Sequence, residues 1–308
     1  MLDKFWESLS QEMAKRWIDY LFGPAFLFWA GGLGLYIWQH GWDSVRSAWP
    51  GLDVYQQAAL LLVAILIVVL SSRAAETLQP PAIRLLEGYW PWPLSLLGAR
   101  IVARNRSSLA KNYEKLRDLK TKEKSNLIAA EEQDQLARLE AWAHRNPAAS
   151  KDLLPTRLGN LLRAREQASS RKYGLDSIIC WPRLWCLLPE CLRDNLTSSR
   201  ALLNGRAELW LWGLLFLVWT AIDPLAVLIS ITWMLLAYGA ALQTAAVYGD
   251  LVETAFDLHR FALYDAMEWP RPLSSAGEVS NGMQLTEFLW RGTIGEEIVY
   301  KVSAEGGE

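Results

Sequence analysis

Four stretches of this chain carry no charged side chain over lengths that water tolerates badly, and they limit what it can fold into. Leu21 to Trp38 runs for 18 residues without a charge. Ala58 to Leu70 is a second apolar block, extended to 19 residues by Val54, Tyr55, Gln56, Gln57, Ser71 and Ser72. Leu209 to Ile222 is a third, and Leu225 to Gly249 a fourth. A spanning helix needs about 20 mostly apolar residues. The third run reaches that length only if it begins near Ala201, which places Arg206 and Glu208 at headgroup level. Asp223-Pro224 is a turn signal, so the last two runs form a tight hairpin. Four buried core helices of a soluble protein would be the alternative, but uncharged stretches this long fit a bilayer better. A signal peptide is disfavoured too. No small-residue cleavage site follows the first run, and a second span does.

Lys and Arg set the orientation. Three lie in the first 20 residues, one (Arg46) between the first two spans, none in the Asp223-Pro224 turn and 23 from Arg73 to Arg206. Positive flanks stay in the cytoplasm, so both termini and the central segment are expected there. Trp agrees, because its amphipathic indole prefers the membrane interface. Among the 17 Trp, Trp38, Trp42 and Trp49 would mark the outer interface. Trp6, Trp17, Trp90, Trp92, Trp210 and Trp212 would mark the inner one.

The expected fold is therefore an all-α membrane protein, with four transmembrane helices in two hairpins and a helical cytoplasmic domain inserted between them. Residues 1–20 read as an interfacial helix, with Phe5, Trp6, Leu9, Met13 and Trp17 on one face; a helix packed on the central domain fits equally. The first hairpin covers 21–72, the basic domain 73–206, the second hairpin 207–249, and an acidic helix and tail 250–308. Gln79-Pro80-Pro81 breaks the chain, and Trp90-Pro91-Trp92-Pro93 cannot continue a helix. That aromatic run is read as an elbow at the inner membrane face, with a ligand-binding aromatic cage as the alternative. Leucines at spacings of three and four from Ala99 to Trp142 predict a helical hairpin breaking around Thr121 to Ser125. Thr156 is set to cap a helix reaching Arg171. Ser274 to Glu308 suggests partial disorder, with 297–302 a conceivable strand.

The net charge of −2 hides a division. Residues 73–206 sum to +9 and residues 250–308 to −7. A basic surface beside a membrane can meet anionic headgroups, an acidic protein or nucleic acid. No recognition motif accompanies the charge, so nucleic acid is disfavoured. Pairing of the two segments, within one chain or between neighbours, is the simpler expectation.

Chemistry is sparse. The phosphate-loop, dinucleotide and nucleophile-elbow motifs are all missing from the sequence, so neither an enzyme nor a cofactor site is expected. Cys180, Cys186 and Cys191 lack metal-ligand spacing and read as reduced, buried thiols. Asp250, Glu253 and Asp257 share a helical face, with His259 close by. They are read first as a solvated or salt-bridged face, and otherwise as a cytoplasmic pore vestibule. No metal site is expected. Ala237, Ala241, Ala245 and Gly249 recur every four residues, and Ala30 and Gly34 repeat the pattern in the first span. Such small faces admit a second helix closely, from the same chain or from another subunit. Spans without interior ionisable groups argue against a transporter.

Leu154-Pro155-Thr156-Arg157-Leu158-Gly159-Asn160, Tyr173-Gly174-Leu175-Asp176 and Trp181-Pro182-Arg183-Leu184-Trp185 resemble a pattern in uncharacterised bacterial multi-span membrane proteins. Leu86 to Pro91 and Ala255 to Phe261 look similar. The resemblance implies a bacterial inner-membrane location and brings no activity with it. The order of spans is also that of bestrophin-type anion channels, whose motif residues are missing here. The expected function is an oligomeric channel or pore-like effector gated through its cytoplasmic domain, with Ser230, Thr232, Tyr238, Gln243 and Thr244 as lining positions. Membrane-perturbing defence effectors are one setting for such a pore. A membrane-anchored scaffold or receptor for a cytoplasmic partner, without transport, is the competing expectation. Membrane lipids and further copies of the chain are the other expected partners.

Overall fold

A computed structural model describes residues 23–47, 51 and 53–292. The interfacial helix expected over residues 1–20, Trp49 and the segment 297–302 lie outside the described residues. Among those described, the chain is all-helical and contains no strand. Twelve α-helices are described: α1 (Pro24–His40), α2 (Trp42–Arg46), α3 (Val54–Thr77), α4 (Gln79–Glu87), α5 (Leu94–Lys124), α6 (Ala130–Ala143), α7 (Arg157–Glu166), α8 (Ala168–Tyr173), α9 (Ser177–Leu187), α10 (Glu190–Leu215), α11 (Leu225–Ala266) and α12 (Ser275–Arg291). Two compact units result. Unit 1 comprises Met1–Ile83 and Asn204–Ala241, and unit 2 comprises Arg84–Leu203 and Leu242–Glu308. The divisions fall inside α4, α10 and α11 rather than at the changes of composition.

Three stretches are long and apolar enough to cross a membrane: Val54–Thr77, Glu190–Ala221 and Leu225–Ala266. The first expected span is described as α1, of 17 residues, or roughly 26 Å at 1.5 Å per residue. In unit 1, α1 and α3 are tied by a hydrogen bond from the Trp29 indole to Ser71 Oγ, 3.1 Å long. Phe28 sits among Trp212, Phe216 and Trp219, with ring centroids 5.3–6.1 Å apart. Trp212 is thus a buried core residue. The third stretch is also not uniform, because Phe216–Ala221 tightens to a 3₁₀ turn before the Asp223 carboxylate accepts from Leu225 N–H at 2.8 Å and starts α11.

The small residues of α1 pack differently from expectation. Ala30 and Gly34 are exposed, and a Cβ built on Gly34 would meet nothing within 4 Å. Gly31 and Gly32 make the contact instead. A Cβ on Gly32 would lie 2.2 Å from the Trp219 ring, and one on Gly31 2.8 Å from Phe216. The bulky rings of the 3₁₀ turn, rather than a second small-residue helix, select which face of α1 is used.

Gln79-Pro80-Pro81 proves to be the start of α4. The first turn of a helix has no intrahelical partner for its N–H groups, so prolines fit there. The chain leaves the helix again at Gly88, whose φ of +98° is costly for any residue with a Cβ. Trp90 donates to Leu85 O at 2.8 Å, while Trp92 is 81% exposed; the two do not form a cage.

Unit 2 has a conventional core. Leu175, Cys180, Leu184, Leu196, Phe256, Leu263, Tyr264 and Leu285 are all but fully buried. Close backbone approaches hold it together. A Cβ on Gly282 of α12 would fall 1.9 Å from Tyr173 O, and one on Gly174 2.0 Å from Val279 O. Thr156 caps α7 by accepting from Gly159 N–H at 3.1 Å, and Asp176 caps α9. The helix expected from Thr156 to Arg171 divides into α7 and α8. Cys180 is buried, but Cys186 and Cys191 are exposed, so burial holds for one of the three thiols. Burial pushes the Cys180 thiol up to about 11, against a weaker hydrogen bond with Thr286. The hairpin α5–α6 turns at the expected place and closes on Leu116, Leu119 and Leu136.

Candidate functional site

The residues expected to line a pore are not arranged as a lining. Ser230 is fully buried and donates to Gly213 O at 2.5 Å, so it serves the α10–α11 hairpin within unit 1. Thr232 is exposed and donates to Leu228 O of its own helix at 2.8 Å. With 3.6 residues per turn, Ser230 and Thr232 stand roughly 200° apart around α11. Gln243 and Thr244, adjacent in sequence, are about 100° apart. No single face of α11 holds the five. Within unit 1, Ala237 and Ala241 are buried; within unit 2, Ala245 and Gly249 are buried as well. A Cβ on Gly249 would come 2.5 Å from the Arg165 side chain. The contact made there is helix against arginine.

Asp250, Glu253 and Asp257 do share a face, and it is salt-bridged. Arg165 pairs with Asp250 at 2.5 Å and also with Glu253. Lys172 reaches Glu253 at 2.6 Å and Asp257 at 3.2 Å. Tyr173 donates to Asp257 at 2.7 Å. Burial works to raise the Glu253 carboxyl, but bonds from Lys172 and Arg165 outweigh it and hold the group below its usual range. Burial likewise opposes the Lys172 ammonium, whose carboxylate partners hold it above its usual value. The vestibule carboxylates are consequently neutralised inside unit 2. His259 lies about half a turn from Asp250 around the helix, and it is not part of the cluster. These pairs join the basic central segment to the acidic tail. Among the described residues no group of three or more His, Cys, Asp or Glu could hold a metal ion.

The sequence reading missed a cavity of about 370 Å³ in unit 2. Five helices and the Leu154 loop build it: the end of α4 gives Glu87, α7 gives Arg163, Arg165 and Glu166, α9 gives Ile178 and Trp181, α10 gives Arg200, and α11 gives Tyr248 and Val252. The stretch Leu154–Asn160 sets its wall. Asn160 Oδ1 accepts from Leu154 N–H at 2.7 Å, and Gly159 lets α7 approach so closely that a Cβ would lie 1.9 Å from Glu87 O. Trp181 is held by Phe256, with centroids 6.0 Å apart.

The cavity is rich in cations with incomplete partners. Arg163 donates to Glu166 at 3.2 Å and to Tyr89 Oη at 2.9 Å. Arg163 and Arg165 each bury an Nε–H without an acceptor. The Arg200 guanidinium lies 5.5 Å from the Tyr248 ring centroid and has no hydrogen-bond acceptor among the described residues. Desolvation raises Glu87, with Arg200 opposing it. Desolvation also raises Glu166, against Arg163. Both acids are thereby biased toward their neutral forms. The sequence signals at this site were the resemblance stretches around Glu87, Leu154 and Trp181 and the basic excess of residues 73–206, neither of which distinguishes Arg200 from a solvated arginine.

No protein-family model, curated protein or solved structure matches this chain.

Proposed function

We propose that the chain is a membrane-anchored receptor: four spans fix it in a bacterial inner membrane, and its helical unit faces the cytoplasm and binds a partner molecule there, without transport. The resemblance to uncharacterised bacterial multi-span membrane proteins belongs to this proposal, and the stretches carrying it are those that cap α7 and α9 and frame the cavity. One observation carries the reading. The arginine-lined cavity is a built recess of ligand size, whereas Ser230 and Thr232 of the apolar stretch of α11 are engaged in local helix contacts. Proteoliposomes loaded with potassium and carboxyfluorescein test it. Retention of both solutes, with 2-naphthalenesulfonate present or absent, is expected; release above that of protein-free vesicles would overturn the receptor reading.

An oligomeric channel is the second reading, favoured by the uncovered face of Ala30 and Gly34 on α1. Small residues exposed among the described residues suit contact with another copy. In that reading the basic unit, with its large ionic surface, gates the path.

A further inference from the structure

We infer that the cavity of unit 2 binds a small organic anion with a flat apolar body, its charge held by Arg200 and its body lying between Trp181 and Tyr248. The inference rests on the receptor reading and names the ligand class. Three independent observations converge. The volume, about 370 Å³, is at the small end of ligand sites and suits a two-ring molecule rather than a peptide. Its walls supply apolar and aromatic surface from Ile178, Trp181, Tyr248 and Val252. Its polar groups include three arginines, and among the described residues the guanidinium of Arg200 lacks the hydrogen-bonded acceptor that such a group normally has when drawn against protein.

Charge decides the sign of the ligand. Arg165 is already neutralised by Asp250 and Glu253, and Arg163 is shared with Glu166. Arg200 makes no ion pair among the described residues; it acts on Glu87 through space, and burial raises that carboxyl. An entering anion removes no ion pair and gains a charge-assisted bond. An entering ammonium would face Arg200 directly and would add to the positive charge of the lining. The Arg200 guanidinium stands over the Tyr248 ring, 5.5 Å from its centroid, a cation–π contact that does not use its hydrogen-bond donors.

Titration calorimetry on the full-length protein in detergent, with four probes, provides the test. 2-Naphthalenesulfonate carries both features; 2-naphthalenesulfonamide lacks the charge; inorganic sulfate lacks the body; 2-naphthylmethylamine reverses the sign. The sulfonate is expected to bind at least tenfold more tightly than the other three, with affinity falling as salt is added. Arg200→Met keeps the bulk over Tyr248 and is expected to cost that tenfold preference with an unchanged circular dichroism spectrum. Should Arg200→Met unfold, the salt dependence and probe ranking on the native protein still decide. Equal binding of sulfonate and sulfonamide, or preference for the amine, would overturn the anion inference while leaving a receptor. Binding of none of the four would overturn it too, and solute release from proteoliposomes would then separately tell whether the receptor reading falls.

Discussion

Units 1 and 2 are built from the same secondary structure and differ in where their charged residues and their buried core lie. In unit 1 the outward faces are apolar: Leu60, Leu61 and Leu62 on α3 and Leu228, Leu235 and Leu236 on α11 are all exposed. In unit 2 a buried core forms around Leu175, Tyr264 and Leu285, and the surface carries ion pairs beside exposed apolar residues such as Trp92, Leu96 and Trp290. The contrast shows where specificity resides. A helix that faces lipid gains little from hiding leucine and is positioned by small-residue and aromatic contacts; Gly32 against Trp219 is a contact of that kind. On the receptor reading proposed above, unit 2 faces water and gains from burial, so it sustains a recess that keeps several arginines partly desolvated.

The largest test of this contrast is Gly282→Val. The added side chain would collide with Tyr173 O, and overpacking at a backbone contact costs about 3 kcal/mol, roughly 6–12 °C in Tm. Thermal unfolding followed by circular dichroism measures it, and an unchanged Tm would remove the close approach from the description of unit 2.

Glu253→Gln is expected to be milder. It leaves Arg165 and Lys172 each short of one carboxylate in a half-buried setting, for a loss of about 1–2 kcal/mol at neutral pH. The sign with pH follows from the directions. Glu253 is held below its usual value of 4.5, so its contribution is complete above 4.5 and is lost as pH falls through the lower folded value. Lys172 is held above 10.5, so its share persists below 10.5 and fades as pH rises through the higher folded value. Denaturant titrations at several pH values should therefore show the wild-type advantage over Glu253→Gln in the neutral range and its loss in strong acid. An advantage that persists in strong acid would contradict the ion-pair origin.

Binding should shift by less. Glu87 and Glu166 are raised above 4.5 by burial, so lowering pH from 7 toward 5 protonates them before ordinary carboxyls. A sulfonate keeps its charge over that interval, and its affinity should rise severalfold. Constant or falling affinity would mean that neither acid faces the anion. Smallest of all, Gly34→Leu should leave the unfolding of unit 1 within about 0.5 kcal/mol, since no atom lies near its Cβ position. Gly32→Leu should destabilise it clearly. If Gly34→Leu changes the oligomer size in detergent, the uncovered face is a subunit contact and the channel reading gains.

Much of the fold was legible because its signals are local. Uncharged runs marked three membrane-length helices, leucine spacing gave the α5–α6 hairpin, and Thr156 announced its cap. Residues that depend on a distant partner were not legible. Ala30 and Gly34 looked like the contact face until the rings of Phe216 and Trp219 chose Gly31 and Gly32. Ser230 looked like a pore-lining hydroxyl, but its acceptor is a carbonyl 17 residues earlier. Asp250, Glu253 and Asp257 were grouped correctly by spacing, yet their cations come from α7 and α8. The cavity was invisible for the same reason: Glu87, Arg163, Trp181, Arg200 and Tyr248 are spread over the chain and share no motif.

Hydrogen–deuterium exchange on the full-length protein, with and without 2-naphthalenesulfonate, tests most directly whether recognition belongs to unit 2 alone. Added protection is expected in α7, in α9 and around Arg200, with none in α3 or in residues 225–241. Protection confined to α3 and 225–241, or no change anywhere at saturating sulfonate, would contradict it.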